Sequence, residues 1–151
     1  KALSYFMESP QAALDQENTR LAIDEFNRFV ENYPNHALVA NAQSKIEELR
    51  EKLAYKEYLA AQLYFKMKYW DAAIIYYQSI INEYPRSVWV DDSQFGAGLA
   101  YKKKKEYSKA TEIFTKLVAE GKTDPGIKKK AARELSEIQK YEAKKREKEK
   151  K

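Results

Sequence analysis

Residues 73–85, Ala73-Ile74-Ile75-Tyr76-Tyr77-Gln78-Ser79-Ile80-Ile81-Asn82-Glu83-Tyr84-Pro85, align without a gap to residues 22–34, Ala22-Ile23-Asp24-Glu25-Phe26-Asn27-Arg28-Phe29-Val30-Glu31-Asn32-Tyr33-Pro34. Ala, an aromatic, an aliphatic, Tyr and Pro recur at matched offsets, the pattern of one helix face closed by a helix breaker. A third copy, Ala110, Phe114 and Val118, ends at Gly121 without the Tyr-Pro close. Upstream of each copy sits a second matched element: Ala2-Leu3-Ser4-Tyr5, Ala61-Gln62-Leu63-Tyr64 and Gly98-Leu99-Ala100-Tyr101. It reads as helix A of a helix-turn-helix pair, the small residue permitting close approach to helix B and the Tyr filling the space beyond.

The rest of the chain supports an all-helical reading. Prolines and glycines fall only at Pro10, Pro34, Pro85, Gly96, Gly98, Gly121, Pro125 and Gly126, while Ala, Leu, Glu, Lys and Gln are abundant. Small residue, Tyr, Ala, aromatic and Pro in this order resemble the tetratricopeptide pattern, whose repeat is about 34 residues. The expected fold is therefore an all-α tetratricopeptide-type solenoid, with repeats at about 2–36, 54–87 and 91–124. Two spacings depart from the ideal. From the helix A Tyr to the helix B Ala is 9 residues in copies two and three but 17 from Tyr5 to Ala22, which predicts an enlarged loop around Glu8-Ser9-Pro10-Gln11. Copies one and two lie 51 residues apart, and the surplus carries Leu38, Ala42, Ile46, Leu49 and Leu53 at helical spacing. One long helix from about 37 to 67 follows, fusing a connector to helix A of copy two. Ile127, Ala131, Leu135 and Ile138 predict a capping helix over 126–141. Beyond it, 142–151 is a charged tail, read as a solvated helix or a frayed end.

Composition bounds the function. With 151 residues and 44% apolar content, the chain can bury a substantial core. Absence of Cys excludes disulfides, thiolate metal sites and a thiol nucleophile. No run approaches the roughly 20 apolar residues of a membrane-spanning helix, and no signal peptide opens the sequence. Lys1-Ala2-Leu3-Ser4-Tyr5-Phe6 reads as mid-helix, so an upstream portion carrying any targeting signal is expected. The formal charge of +5 is uneven: residues 128–151 carry 11 Lys+Arg against 5 Glu. The body is near neutral, and the mixed signs of the tail argue against a nucleic-acid partner.

No constellation points to catalysis, a cofactor or a metal. His36, the only histidine, follows Pro34-Asn35 and suits a solvent-facing or capping role. Neighbouring acids at Asp91-Asp92 and Glu47-Glu48 diverge by about 100° on a helix and suit helix starts and solvated faces. Gly96-Ala97-Gly98 lies inside helix A of copy three, where small residues serve packing. The run Lys102 to Lys105 either grips an anionic surface or complements a helix C-terminus, the second being favoured.

Binding is the remaining class. Tyr64, Tyr77, Tyr101 and Phe114 occupy repeat-core positions. Ile75 stands where a charged residue is usual, Tyr76 is beside it, and Trp89 follows Pro85. These three are partner-binding candidates, with contact to a flanking helix as the competing reading. On the inner face, helix A offers Tyr58, Gln62, Phe65, Phe95 and Leu99 as an aromatic, neutral groove. It lacks the Lys and Asn pair with which chaperone-binding tetratricopeptide domains grip a C-terminal carboxylate.

Glu48-Leu49-Arg50-Glu51-Lys52-Leu53-Ala54, then Glu57-Tyr58-Leu59-Ala60, Tyr64-Phe65, Ala72-Ala73-Ile74 and Tyr84-Pro85-Arg86-Ser87, resemble the BamD family of outer-membrane β-barrel assembly lipoproteins over about residues 2–120. The enlarged first loop and the connector helix match as well. The resemblance implies a non-catalytic scaffold on the periplasmic face of the bacterial outer membrane, without cofactors. Its partners would be the POTRA region of BamA, other machinery subunits and unfolded outer-membrane proteins, and its only membrane contact a lipid anchor outside this chain. A periplasmic tetratricopeptide adaptor of the Tol-Pal or cell-division type is the alternative, since it shares the Tyr-Pro-x-Ser close; a generic interaction module is the broader one.

Overall fold

A computed structural model describes residues 16–151, in which all regular structure is helical. Six helices follow one another: α1 Gln16–Asn32, α2 Val39–Lys66, α3 Trp70–Glu83, α4 Val90–Lys103, α5 Tyr107–Ala119 and α6 Pro125–Glu149. The expected Ala2–Tyr5 element and the enlarged loop around Pro10 lie outside the described residues. The connector and helix A of copy two form a single 28-residue helix, as the unbroken 37–67 pattern predicts.

Turns of two kinds alternate, and each repeats its backbone hydrogen bonds. Between α2 and α3, Lys68 N–H donates to Phe65 O and Tyr69 N–H to Tyr64 O; between α4 and α5, Lys105 N–H donates to Lys102 O and Glu106 N–H to Tyr101 O. Both are Schellman closures, with a left-handed residue satisfying the last carbonyls of the helix. Here a lysine takes the place usually held by Gly, at φ 63° for Lys68 and 64° for Lys105. At the other edge, His36 N–H donates to Tyr33 O and Val39 N–H to His36 O, mirrored by Ser87 N–H to Tyr84 O and Val90 N–H to Ser87 O. Side chains repeat too. Leu38 N–H donates to His36 Nδ1 and Trp89 N–H to Ser87 Oγ, so His36 is a local cap as its turn position suggested. In copy three, Thr123 N–H reaches Glu120 O, so the turn survives without Tyr-Pro.

The core runs as three successive clusters. Ala22, Ile23 and Phe26 of α1 meet Ala42, Ile46, Leu49 and Leu53 of α2; next come Ala61, Ala73, Tyr77 and Ala97; last come Ala110, Phe114, Leu117, Ile127, Ala131 and Ile138. Each pair of helices buries one face against the next, as a solenoid requires. Asp124 caps α6 by accepting from Ile127 N–H at 3.1 Å, with Pro125 at the first position, where no donor is needed. The helix then passes beyond residue 141 to Glu149, so most of the charged tail is solvated helix.

Gly96 and Gly98 fix how closely α4 approaches its neighbours. A Cβ on Gly96 would lie 2.4 Å from the Tyr77 ring, and one on Gly98 would lie 2.6 Å from the Phe114 ring. Phe114 is wholly buried and has nowhere to retreat. Gly98→Val should therefore cost on the order of 3 kcal/mol through overpacking, whereas Gly121→Ala, with nothing within 4 Å, should stay within about 0.5 kcal/mol of the parent. Urea unfolding followed by circular dichroism compares the two; equal midpoints would contradict the packing account.

Candidate partner-binding surface

Glu51 and Arg50 on α2 organise one side of the surface. Glu51 accepts from Ser87 Oγ at 3.1 Å and from Val88 N–H at 3.1 Å, while Arg50 donates to Glu83 O at 2.9 Å and lies over the Tyr84 ring. Arg86 pairs with Glu47. Copy three repeats the device with Asp91, which accepts from Asp124 N–H at 2.8 Å. The shallow clefts beside Glu47, Arg50 and Arg86 thus have charged walls already used in folding. Among the described residues, no group of three or more His, Asp or Glu is placed to hold a metal.

Trp89 lies between two tyrosines of α2, stacked at 5.0 Å on Tyr55 and 4.6 Å on Tyr58. It is half-buried and packs against the first core cluster, so it does make contact with a flanking helix. Tyr76 is likewise occupied, stacked at 5.3 Å on Tyr64. Ile75, next to it, projects away from the core and is 66% exposed. The expected inner groove divides. Gln62 is exposed and donates to the Tyr58 hydroxyl at 3.0 Å, and Phe65 meets Trp70 edge-on. Phe95 and Leu99 instead lean on the last core cluster, with Phe95 5.6 Å from Phe114.

Burial sets the electrostatics of the aromatic shelf. Desolvation pushes the Tyr77 phenol up to about 12, with smaller contributions from Tyr58 and Asp92. Tyr58 is raised as well, chiefly by desolvation, against the opposing bond from Gln62. The Glu57 carboxyl beneath them is held above the usual carboxylate range, mainly by desolvation, opposed by the Ser79 hydroxyl.

Sequence reading passed over an apolar stripe. Leu59 and Leu63 on α2, Met67 just past its end and Tyr69 in the following turn are all exposed, the first three at four-residue spacing. The i, i+4, i+8 spacing was available as a signal, but Leu59 and Leu63 were read only as part of the repeat and family matches. The run Lys102 to Lys105 is divided in use: Lys102 bridges Glu134 and Glu137 of α6, Lys104 bridges Asp71 and Glu106, and Lys103 and Lys105 are exposed.

Comparison with known proteins adds two findings. A family described as YfiO, outer membrane lipoprotein, matches residues 1–112. The outer membrane protein assembly factor BamD of Rickettsia prowazekii (strain Madrid E) is 33% identical over 84 residues, covering 56% of this chain and 34% of the relative.

Because the Tyr77 phenol ionises near 10 when unfolded and at about 12 when folded, its contribution to stability is complete below pH 10 and is lost as the pH rises to about 12. Melting temperatures measured across that window should fall, and Tyr77→Phe should flatten the fall. Trp89→Ala should cost about 3 kcal/mol, read as an equilibrium unfolding shift, because it empties the slot between Tyr55 and Tyr58.

Proposed function

The chain belongs to the YfiO family of outer membrane lipoproteins, and from that premise we propose that it is a non-catalytic scaffold of outer-membrane β-barrel assembly that binds the periplasmic POTRA region of BamA. The relative named for assembly supports the process. The chain spans 34% of that relative's length, so the partner assignment is a reading of this piece.

The observation that carries the reading is Ile75, an isoleucine two-thirds exposed beside a rigid aromatic stack on a helix packed from both sides. An apolar side chain held out by a fixed framework loses little entropy on binding, which is the property of an interface anchor. Tyr76 and Trp89 would support it from behind, since their rings are engaged within the fold. Tyr58, Gln62 and Phe65 would extend the contact surface along α2, and Phe95 and Leu99 along α4. The work is rigid presentation: α2 holds two helical layers at a fixed angle, and a partner domain that docks on both is held at that angle. No reaction is assigned.

Ile75→Glu places a charge at the anchor while leaving the core untouched. Titration of the purified periplasmic region of BamA should show at least about tenfold weaker binding for this variant, with melting temperature unchanged. Unchanged affinity would overturn Ile75 as anchor, and no binding by the parent chain would overturn the partner. A variant at Trp89 is unsuitable for this purpose because it disturbs the fold itself.

A further inference from the structure

We propose that the edge of the solenoid bearing its α2–α3 and α4–α5 turns docks on an anionic phospholipid bilayer. The inference concerns a surface distinct from the Ile75 anchor and does not depend on which protein the solenoid holds.

Antiparallel packing gathers these turns together. Arg50 reaches Glu83, Tyr58 meets Tyr77 and Phe65 meets Trp70, so α2 and α3 run in opposite directions and residues 67–69 form their common tip. The residues 104–106 tip lies alongside, because Lys104 bridges to Asp71 in the first turn of α3. The C-terminal end of α6 reaches the same edge: Lys102 pairs with Glu134 and Glu137, and Tyr107 at the start of α5 meets Tyr141 at 4.9 Å. Ile138 is the last buried residue of α6, so the turns after Tyr141 project past the tips.

Cations without partners collect on this edge. Lys66, Lys68, Lys103 and Lys105 are exposed and form no ion pair, and Lys144, Lys145, Arg146 and Lys148 continue the series on the projecting helix. At the opposite edge several charges are engaged, Glu51 with Ser87 and Val88, Arg86 with Glu47, and Asp91 with Asp124. Lys122, Lys129 and Lys130 near Asp124 are also exposed without an ion pair, so the tip edge is set apart by its unpaired lysines alternating with apolar side chains in one turn, a charge available to a partner of opposite sign.

Apolar side chains stand among the cations. Leu63 is 56%, Met67 50% and Tyr69 57% exposed, in a tip whose sequence alternates Lys66-Met67-Lys68-Tyr69. Lys66, Met67, Lys68 and Tyr69 are consecutive exposed residues at a turn, so they present side chains outward instead of lining the walls of a groove that would enclose a peptide. Lys for lipid phosphates, with Met, Leu and an amphipathic Tyr for the headgroup boundary, is the combination that binds an anionic bilayer interface. Among the described residues no helix is long and apolar enough to cross a membrane, so the contact is with the surface. A bilayer is also the surface nearest to hand for a family of outer membrane lipoproteins. The inference amends the expectation that membrane contact runs only through a lipid anchor outside the chain.

Sedimentation of the purified chain with phosphatidylcholine vesicles, with and without added phosphatidylglycerol, tests this directly, and no protein partner is present to confuse the outcome. The chain should bind only the anionic vesicles, and binding should fall at high salt. Combined K66E, K68E, K103E and K105E should weaken it at least about tenfold, and Met67→Ser with Tyr69→Ser should weaken it independently of charge. Should the charge-reversed chain fail to fold, the corresponding four Gln substitutions give the same reading with a smaller loss. Equal binding to neutral vesicles, no binding by the parent, or no loss in either set of tip variants would overturn the proposal. So would a loss seen only on removing residues 142–151, or, in a parallel titration against an acidic protein, an effect of the tip variants seen there and not on vesicles.

Discussion

The uninterrupted hydrogen-bond ladder of α2 is the constraint on which the rest of the structure depends. Twenty-eight residues without Pro or Gly make a rod about 42 Å long. Its first half, through Ala42, Ile46, Leu49 and Leu53, receives α1; its second half, through Ala61 and Tyr64, receives α3. Trp89, at the entry to α4, is held against its middle by Tyr55 and Tyr58. A break near residue 54 would turn a rigid joint into a hinge, and the angle presented to a partner would no longer be set by the fold.

Close approach is the second requirement. Ala61, Ala73 and Ala97 bring helices together where larger side chains would hold them apart, and Gly96 and Gly98 let the rings of Tyr77 and Phe114 press onto the α4 backbone. Carboxylates on α2 and α4 then hold the turns that lead to the next pair, Glu51 at Val88 and Asp91 at Asp124. Residues first noticed because they resemble a family, Arg50, Glu51, Tyr84 and Ser87, are thus one connected structural device.

The candidate surface was less legible than the fold, for a physical reason. Trp89 and Tyr76 read as outward apolar residues because each follows from a position along its own segment, and each is half-buried and stacked on a ring of α2. Ile75 was read as directed outward, and it is 66% exposed, with no ring of another helix stacked on it. Phe95 and Leu99 were expected on the inner face with Tyr58, Gln62 and Phe65, and both are half-buried against the last core cluster, Phe95 beside Phe114 of α5. The charge of the Lys102 to Lys105 run likewise depends on who stands opposite: α6 and Asp71 take two of the lysines and leave two.

By itself the sequence determined the helices, their pairing, the fused α2 and the small residues at the crossings, because these follow from spacing along one chain: a 3.6-residue period, a breaker, a missing side chain. It also determined the family resemblance, which the match over residues 1–112 bears out. Only the tertiary structure decided which charges stay unpaired, which aromatics are covered, and that the α2–α3 and α4–α5 turns share one edge with the end of α6. Those properties depend on residues tens of positions apart meeting through antiparallel packing, and no local period records which of them will meet.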